Sequence, residues 1–346
     1  MSTSLRTLRP LNGQHISRTL ITPNSLCRRK NFSPSDRWET ASQFNANSPT
    51  TTSFSTSASA YANTRLKPVD LKYTRYLPPD GGNQTREAIV FLHSLFGSKR
   101  NWHSVANALS NELSRPVYAL DLRNHGESPH AEPMTYPQMA LDVTHFIQKH
   151  NLERISLVGH SMGGKVAMTT VLGRYLPPST IANLVVADIA PIKGKVSRAS
   201  VSYFEAMKKI ESMKLKTKKE ARNVLAEWEK NPGTQAFLLT NLIVPSDPSS
   251  LQEYAKFGIP LDILSEAVPD IGIFPYEPGE VEPWTGRTLF VKGGKSKFLN
   301  EDAIGVARKL FPSMELEVLD AGHYVHGERP NEFKQLIVDF IKAEMA

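Results

Sequence analysis

The chain has 346 residues, enough for one large domain or two modest ones with a sizeable buried core. Its net charge of +7 is unevenly placed: six basic residues (Arg6, Arg9, Arg18, Arg28, Arg29, Lys30) and no acid fall within residues 1–35, leaving only +1 for the remainder. That balance argues against a nucleic-acid partner, no apolar run approaches the ~20 residues that span a bilayer, and the one cysteine, Cys27, has no second thiol to pair with.

In chain order, the N-terminus "MSTSLRTLRPLNGQHISRTLITPNSLCRRKNFSPS" comes first. It is rich in Arg and hydroxyl residues and has no continuous apolar core, while Leu5, Leu8, Ile16 and Leu20 sit at helical spacings. The composition is that of a mitochondrial transit peptide, with a disordered basic tail as the alternative. Residues 36–60 contain the Ser/Thr-rich stretch "NANSPTTTSFSTSASA", which cannot bury a core. The expected organisation is therefore a presequence and disordered linker over residues 1–65 and a folded domain over 66–346, located in the mitochondrion, most simply its matrix. Processing would remove Cys27, and with it any thiolate metal site or cysteine nucleophile.

From Leu71 onward, short apolar runs alternate with helix-like segments. Strands are expected at Leu71–Leu77, Ala88–His93, Val117–Leu122, Ile155–Val158, Leu184–Ala187, Thr288–Lys292 and Glu315–Leu319. Helices are expected at Asn101–Leu113, Tyr136–His150, Lys165–Tyr175, Glu301–Leu310 and Asn331–Ala343. This is an α/β pattern: a doubly wound, mostly parallel sheet covered on both faces, with ligands bound at the carboxyl ends of the strands. Between residues 192 and 283 the alternation stops. "VSYFEAMKKIESM", "KKEARNVLAEWEK" and "TQAFLLTNLI" read as helices and are followed by a Pro-rich loop, so this stretch is expected to be a helical cap inserted between strands. Its lysines 208, 209, 214, 216, 218 and 219 are most simply a solvated face.

Three strand ends carry the chemistry. In "LVGHSMGGKVAM", Gly159, Ser161 and Gly163 form G-x-S-x-G between a strand and a helix. Such a turn pushes the serine to its tip, requires glycine where a Cβ would meet neighbouring backbone, and aims the N–H of Met162 at whatever the serine attacks. A serine nucleophile needs a base, and the base needs a carboxylate. Of ten histidines, His323 and His326 follow a C-terminal strand, and His323, in "DAGHYVH" beside Gly322, is the expected base. His326 is expected to pack against the start of the last helix. The acid usually follows the next-to-last strand, but "TLFVKGGKSKF" offers Ser296 there, and Glu301 and Asp302 read as acids of a helix first turn capped by Asn300. Asp188, ending the strand of "LVVADIAP", is the better candidate; a plain turn residue is the alternative reading of it. The second oxyanion donor is expected from "FLHSLFG", as the N–H of Leu95, with His93 holding that loop.

From about Leu66 to the C-terminus the chain resembles the α/β-hydrolases. The resemblance is greatest to a branch of small bacterial esterases, mitochondrial abhydrolase-domain proteins of animals and fungi, and ethanol acetyltransferases of yeasts. The stretches that carry it are "HSLFGSKRNW", "DLRNHGESPH", "VGHSMGGKVAM", "VADIAP", "GGKS" and "AGHYVH". The resemblance implies nucleophile, acid and base at Ser161, Asp188 and His323. Ser94 departs from the glycine common in relatives and is expected to narrow the acyl pocket or add a hydrogen bond. The reading that follows is a mitochondrial serine carboxylic-ester hydrolase acting through an acyl-enzyme on short- to medium-chain acyl esters or thioesters. It needs no cofactor and no metal, and its partner is a small acyl ester or acyl-CoA. An alcohol acyltransferase with the same triad, or a non-catalytic partner protein, are the alternatives.

Overall fold

The structure, a computed structural model, describes residues 67–79, 86–245 and 252–344. The expected presequence and linker, with Cys27, lie outside the described residues. Along the chain run β1 (Tyr73–Tyr76), β2 (Ile89–Leu92), α1 (His103–Leu113), β3 (Val117–Leu120), α2 (Tyr136–Lys149), β4 (Ile155–His160), α3 (Met162–Leu172) and β5 (Ile181–Ala187). An inserted segment follows with α4 (Arg198–Ser212), α5 (Lys218–Leu225), α6 (Pro232–Leu238), β6 (Leu242–Ile243), β7 (Lys256–Phe257), α7 (Leu261–Glu266) and α8 (Val268–Gly272). The chain then completes the sheet with β8 (Arg287–Gly293), α9 (Glu301–Leu310), β9 (Met314–Leu319), α10 (Val325–Glu328) and α11 (Pro330–Lys342).

Seven strands form one sheet in the order β1-β3-β2-β4-β5-β8-β9. β1 pairs antiparallel with β3 and every other pairing is parallel. The central strands are buried on both faces, which is why IVFL and VYAL read as unbroken apolar runs, while ISLVGH adds the buried polar Ser156 and His160. Alternate residues serve the two layers. Val90, Leu92, Leu157 and Val186 join the core with α2, α3 and α9, whereas Ile89, Phe91, Val158 and Val185 pack against α1 and α11.

The differences from the expected elements cluster where the site is built. β4 runs on to His160, pairing it with Ala187, and α3 begins at Met162 rather than Lys165. Strand therefore passes into helix through Ser161 alone, a far sharper turn than apolar periodicity indicates. In the inserted segment, the last two residues of "TQAFLLTNLI", expected to be helical, form β6, and the tract expected to be a Pro-rich loop holds its antiparallel partner β7 and the short helices α7 and α8. Pro260 and Pro269 stand at or just inside helix N-termini, where proline loses no intrahelical hydrogen bond. Composition alone cannot distinguish that use of proline from a loop.

Candidate active site

Ser161 sits at φ 53°, ψ −116°, outside the regions a side-chain-bearing residue ordinarily occupies. Its neighbours hold it there: its N–H donates to the Ala187 carbonyl (3.0 Å) and its carbonyl accepts the Lys165 N–H (3.0 Å). A Cβ on Gly159 would come within 2.2 Å of the Gly163 carbonyl oxygen, and one on Gly163 within 2.4 Å of the Leu92 oxygen. Both glycines are required so that the turn can close against itself and against β2.

Three distant side chains meet at this turn. His323 Nε2 lies 2.9 Å from Ser161 Oγ, and His323 Nδ1 lies 2.8 Å from Asp188 Oδ2. A carboxylate can only accept, so Nδ1 carries the proton and Nε2 is left to accept the serine hydroxyl. Asp188 directly follows β5, is fully buried and takes further hydrogen bonds from the Gly293 N–H (2.8 Å, to Oδ1) and the Ser296 hydroxyl (to Oδ2). Those donors replace the water the carboxylate has lost. Ser296 thus stands where an acid was sought and acts as a donor to the acid on the neighbouring strand. Glu301 and Asp302 remain in the first turn of α9, whose N-cap Asn300 accepts the Ala303 N–H at 2.9 Å. The Phe298 ring lies on that of His323, with centroids 4.1 Å apart.

Leu95 and Met162 both line the cavity that holds Ser161. Met162 opens α3, so helix geometry leaves its N–H without an intrahelical acceptor. The loop carrying Leu95 is braced on several sides. His93 Nδ1–H donates to the Ser94 carbonyl (2.8 Å) while its Nε2 accepts the Leu122 N–H (2.9 Å). His125 Nε2 accepts the Phe96 N–H (3.3 Å), and Asn241 from the inserted segment donates to the Phe96 carbonyl (2.8 Å). Burial holds both histidines below the usual imidazole range, His125 at about 3, so both are neutral acceptors as this bracing requires. Arg123 and Asp142 form a buried pair behind them at 2.6 and 2.7 Å. The stretch "DLRNHGESPH" therefore builds the frame of the loop.

His326, set aside as a base, stacks on Trp102 (4.3 Å) and reaches Phe333 in the first turn of α11 (6.0 Å). His160, immediately before Ser161, was not singled out from sequence, yet its Nε2–H donates to the His323 carbonyl (2.8 Å). It is buried, and desolvation together with His326 and His323 drives it well below the usual imidazole range, so it stays neutral. Its signal in the sequence is a histidine ending a strand whose other polar side chain is Ser156. Ser94 is buried and lines the cavity. The cavity encloses about 240 Å³; Leu95, Phe96 and Ile189 come from the sheet side, and Tyr203 and Ile271 from the inserted segment.

The sequence pattern of the alpha/beta hydrolase family matches residues 89–336, and the chain belongs to that family. Among its relatives is the mouse (Mus musculus) sn-1-specific diacylglycerol lipase ABHD11, 35% identical over 83% of this chain and 90% of that protein. Ethanol acetyltransferase 1 of Wickerhamomyces anomalus is 33% identical over 80% of this chain and 75% of that protein. Among solved structures, a marine microorganism esterase superposes with a TM-score of 0.69 at 32% identity, covering 79% of this chain and 99% of that one. The chain is thus an enzyme of the esterase and lipase type. Among the described residues, no helix is long and apolar enough to cross a membrane.

Proposed function

We propose that the protein is a serine esterase that hydrolyses short- to medium-chain acyl esters or thioesters through an acyl-enzyme. The observation that carries this reading is the relay from Ser161 through His323 to Asp188, set on a strained turn that exposes the hydroxyl. As Ser161 Oγ attacks the acyl carbon, its proton passes to His323 Nε2, and Asp188 stabilises the imidazolium. The carbonyl oxygen takes up the negative charge and accepts hydrogen bonds from the N–H groups of Leu95 and Met162. Collapse of the tetrahedral intermediate breaks the bond to the leaving group, which takes the proton from His323. Water, deprotonated by the same histidine, then releases the acid and restores Ser161.

The reading includes residues 192–283 as a cap over the site, supported by Tyr203 and Ile271 lining the cavity with Ser161. It includes a mitochondrial location, supported by the Arg-rich, acid-free N-terminus; N-terminal sequencing of protein from purified mitochondria should begin between Cys27 and Arg65.

Alcohol as acceptor is the second reading, favoured by the named activity of the Wickerhamomyces relative. Both acceptors attack one acyl-enzyme, so only binding and orientation of the alcohol can favour transfer. Free acid and new ethyl ester, measured together while ethanol is titrated, separate the two. Acid should dominate at low ethanol, ester should appear as ethanol rises, and both should vanish in Ser161→Ala. Ester exceeding acid at millimolar ethanol would make the protein a transferase first.

A further inference from the structure

Lys165 occupies the helical turn after Ser161 on α3, yet it is only 6% exposed. Its Nζ donates to the carbonyl oxygens of Ile192 (3.0 Å) and Gly272 (3.3 Å), one at each end of the inserted segment. Lys165, Ile192 and Gly272 all line the cavity that holds Ser161. The Tyr136 ring lies beside the ammonium, 5.6 Å from its centroid. No carboxylate of the described residues is within ion-pair distance of Nζ, and no Asp or Glu lines this cavity.

A buried ammonium without a counter-charge is costly, and two carbonyls return only part of that cost. Three N–H bonds radiate from Nζ and two are used within the protein. A strut between the ends of the insertion would need no charge, since a neutral donor could satisfy the same carbonyls. The position in the cavity says which part of a substrate comes near. Lys195 and Lys297 are exposed at the rim, whereas Lys165 is deep. The leaving group must depart through the mouth, so the deep end receives the group retained on Ser161.

We propose that Lys165 determines specificity by receiving a carboxylate carried on the acyl group, so that preferred substrates are half-esters or half-thioesters of short dicarboxylic acids. This rests on Ser161 being the nucleophile. One helical turn advances about 5.4 Å along the axis, a span suited to succinyl or glutaryl groups. Burial holds the Lys165 ammonium down at about 8. It is therefore charged below that pH and neutral above it. Around it, Tyr136 from α2 is raised by burial and stays neutral, while the segment after β5 and α8 present carbonyls. Across the cavity stand His323, Tyr203 and Tyr324, both tyrosines also raised by burial, with Lys195 and Lys297 at the rim.

The test compares monoethyl glutarate with ethyl pentanoate, which share a leaving group and differ in the distal carboxylate. The readout is the ratio of their kcat/KM values on enzyme titrated with a fluorophosphonate probe. Ionisation of His323 enters both substrates alike and cancels in this ratio. Wild-type enzyme should favour the glutarate at pH 7, with the preference fading as pH rises through about 8. Lys165→Met should lower the ratio by about 10- to 100-fold, the value of a charge-assisted hydrogen bond. If that variant fails to fold, the wild-type pH profile of the ratio still decides. Turnover of pentanoate with no preference for glutarate, or a preference independent of pH between 6 and about 10, overturns the role of Lys165 and leaves the esterase reading intact. A Lys165-dependent preference that instead follows a carboxylate on the alcohol side, tested with the pentanoyl ester of glycolic acid, overturns it too. Failure of every ester to acylate Ser161 would remove the esterase reading itself.

Discussion

The strand ends around Ser161 and the segment inserted between β5 and β8 are held by different forces. At the strand ends, Asp121, Arg123, Asp142, His93 and His125 are buried polar groups with hydrogen-bond partners, and Asp188 joins them within the relay. The inserted segment relies on apolar packing of Phe204, Met207, Ile210, Leu225 and Leu264, with ion pairs such as Lys208–Asp262 and Lys209–Glu227 in solvent. Directional bonds over-determine a geometry, which proton transfer between fixed atoms requires. Apolar packing tolerates changes of shape, which suits the selection of acyl group or acceptor proposed for this segment. Under the proposed function, the division separates chemistry from selection.

The largest effects should come from the relay. Ser161→Ala should lower kcat for ester hydrolysis by about 10⁶, with the urea midpoint unchanged because the side chain fills no core. Asp188→Asn should cost about 10³–10⁴ in kcat, the scale for neutralising a triad acid, whereas Asp302→Asn in the capped first turn of α9 should change it little. Reversal of those two results would place the acid after β8 and break the account of Ser296.

Stability should follow the same division. Asp142→Ala leaves the Arg123 guanidinium buried without its partner and should cost about 3–5 kcal/mol in urea unfolding. Lys209→Ala, which removes an exposed pair in the insertion, should cost less than about 1 kcal/mol. Equal losses would mean that the two regions are held alike. Acid should act on the strand-end region too. His125 and His326 are buried neutral and held at about 3, and His160 is also well below the usual range. Because the unfolded chain binds these protons first, each contribution is complete above about pH 6.5 and declines by about 1.4 kcal/mol per pH unit as the pH falls below it. Stability measured from pH 7 to 4 should drop steeply, and His326→Phe should flatten part of that drop.

Much of this architecture is legible in the sequence because the relevant signals are local. Apolar runs bounded by turns mark the central strands, and the glycines around Ser161 mark the turn. Asp188 and His323 stand out because each follows a strand of the sheet that already carries Ser161, and the three side chains do meet in space. The remainder depends on tertiary contacts that no window of sequence contains. Ser296 becomes a donor to Asp188 only because β8 pairs with β5. His160 touches the His323 carbonyl across 163 residues of chain. The pair β6–β7 has two residues per strand and no periodicity to read. Lys165 sits in a glycine-rich helix start where a lysine is normally solvated, and its burial follows from the two ends of the insertion closing over it.

A serine esterase of this kind passes through a covalent intermediate at Ser161. Enzyme mixed with a short-chain ester, quenched with acid in the first turnover and digested, can be mapped by peptide mass spectrometry. One acyl group should be found on Ser161, appearing in a burst with the first equivalent of alcohol and absent from Ser161→Ala. Acyl groups on another residue, or full turnover by Ser161→Ala, would contradict that role for Ser161.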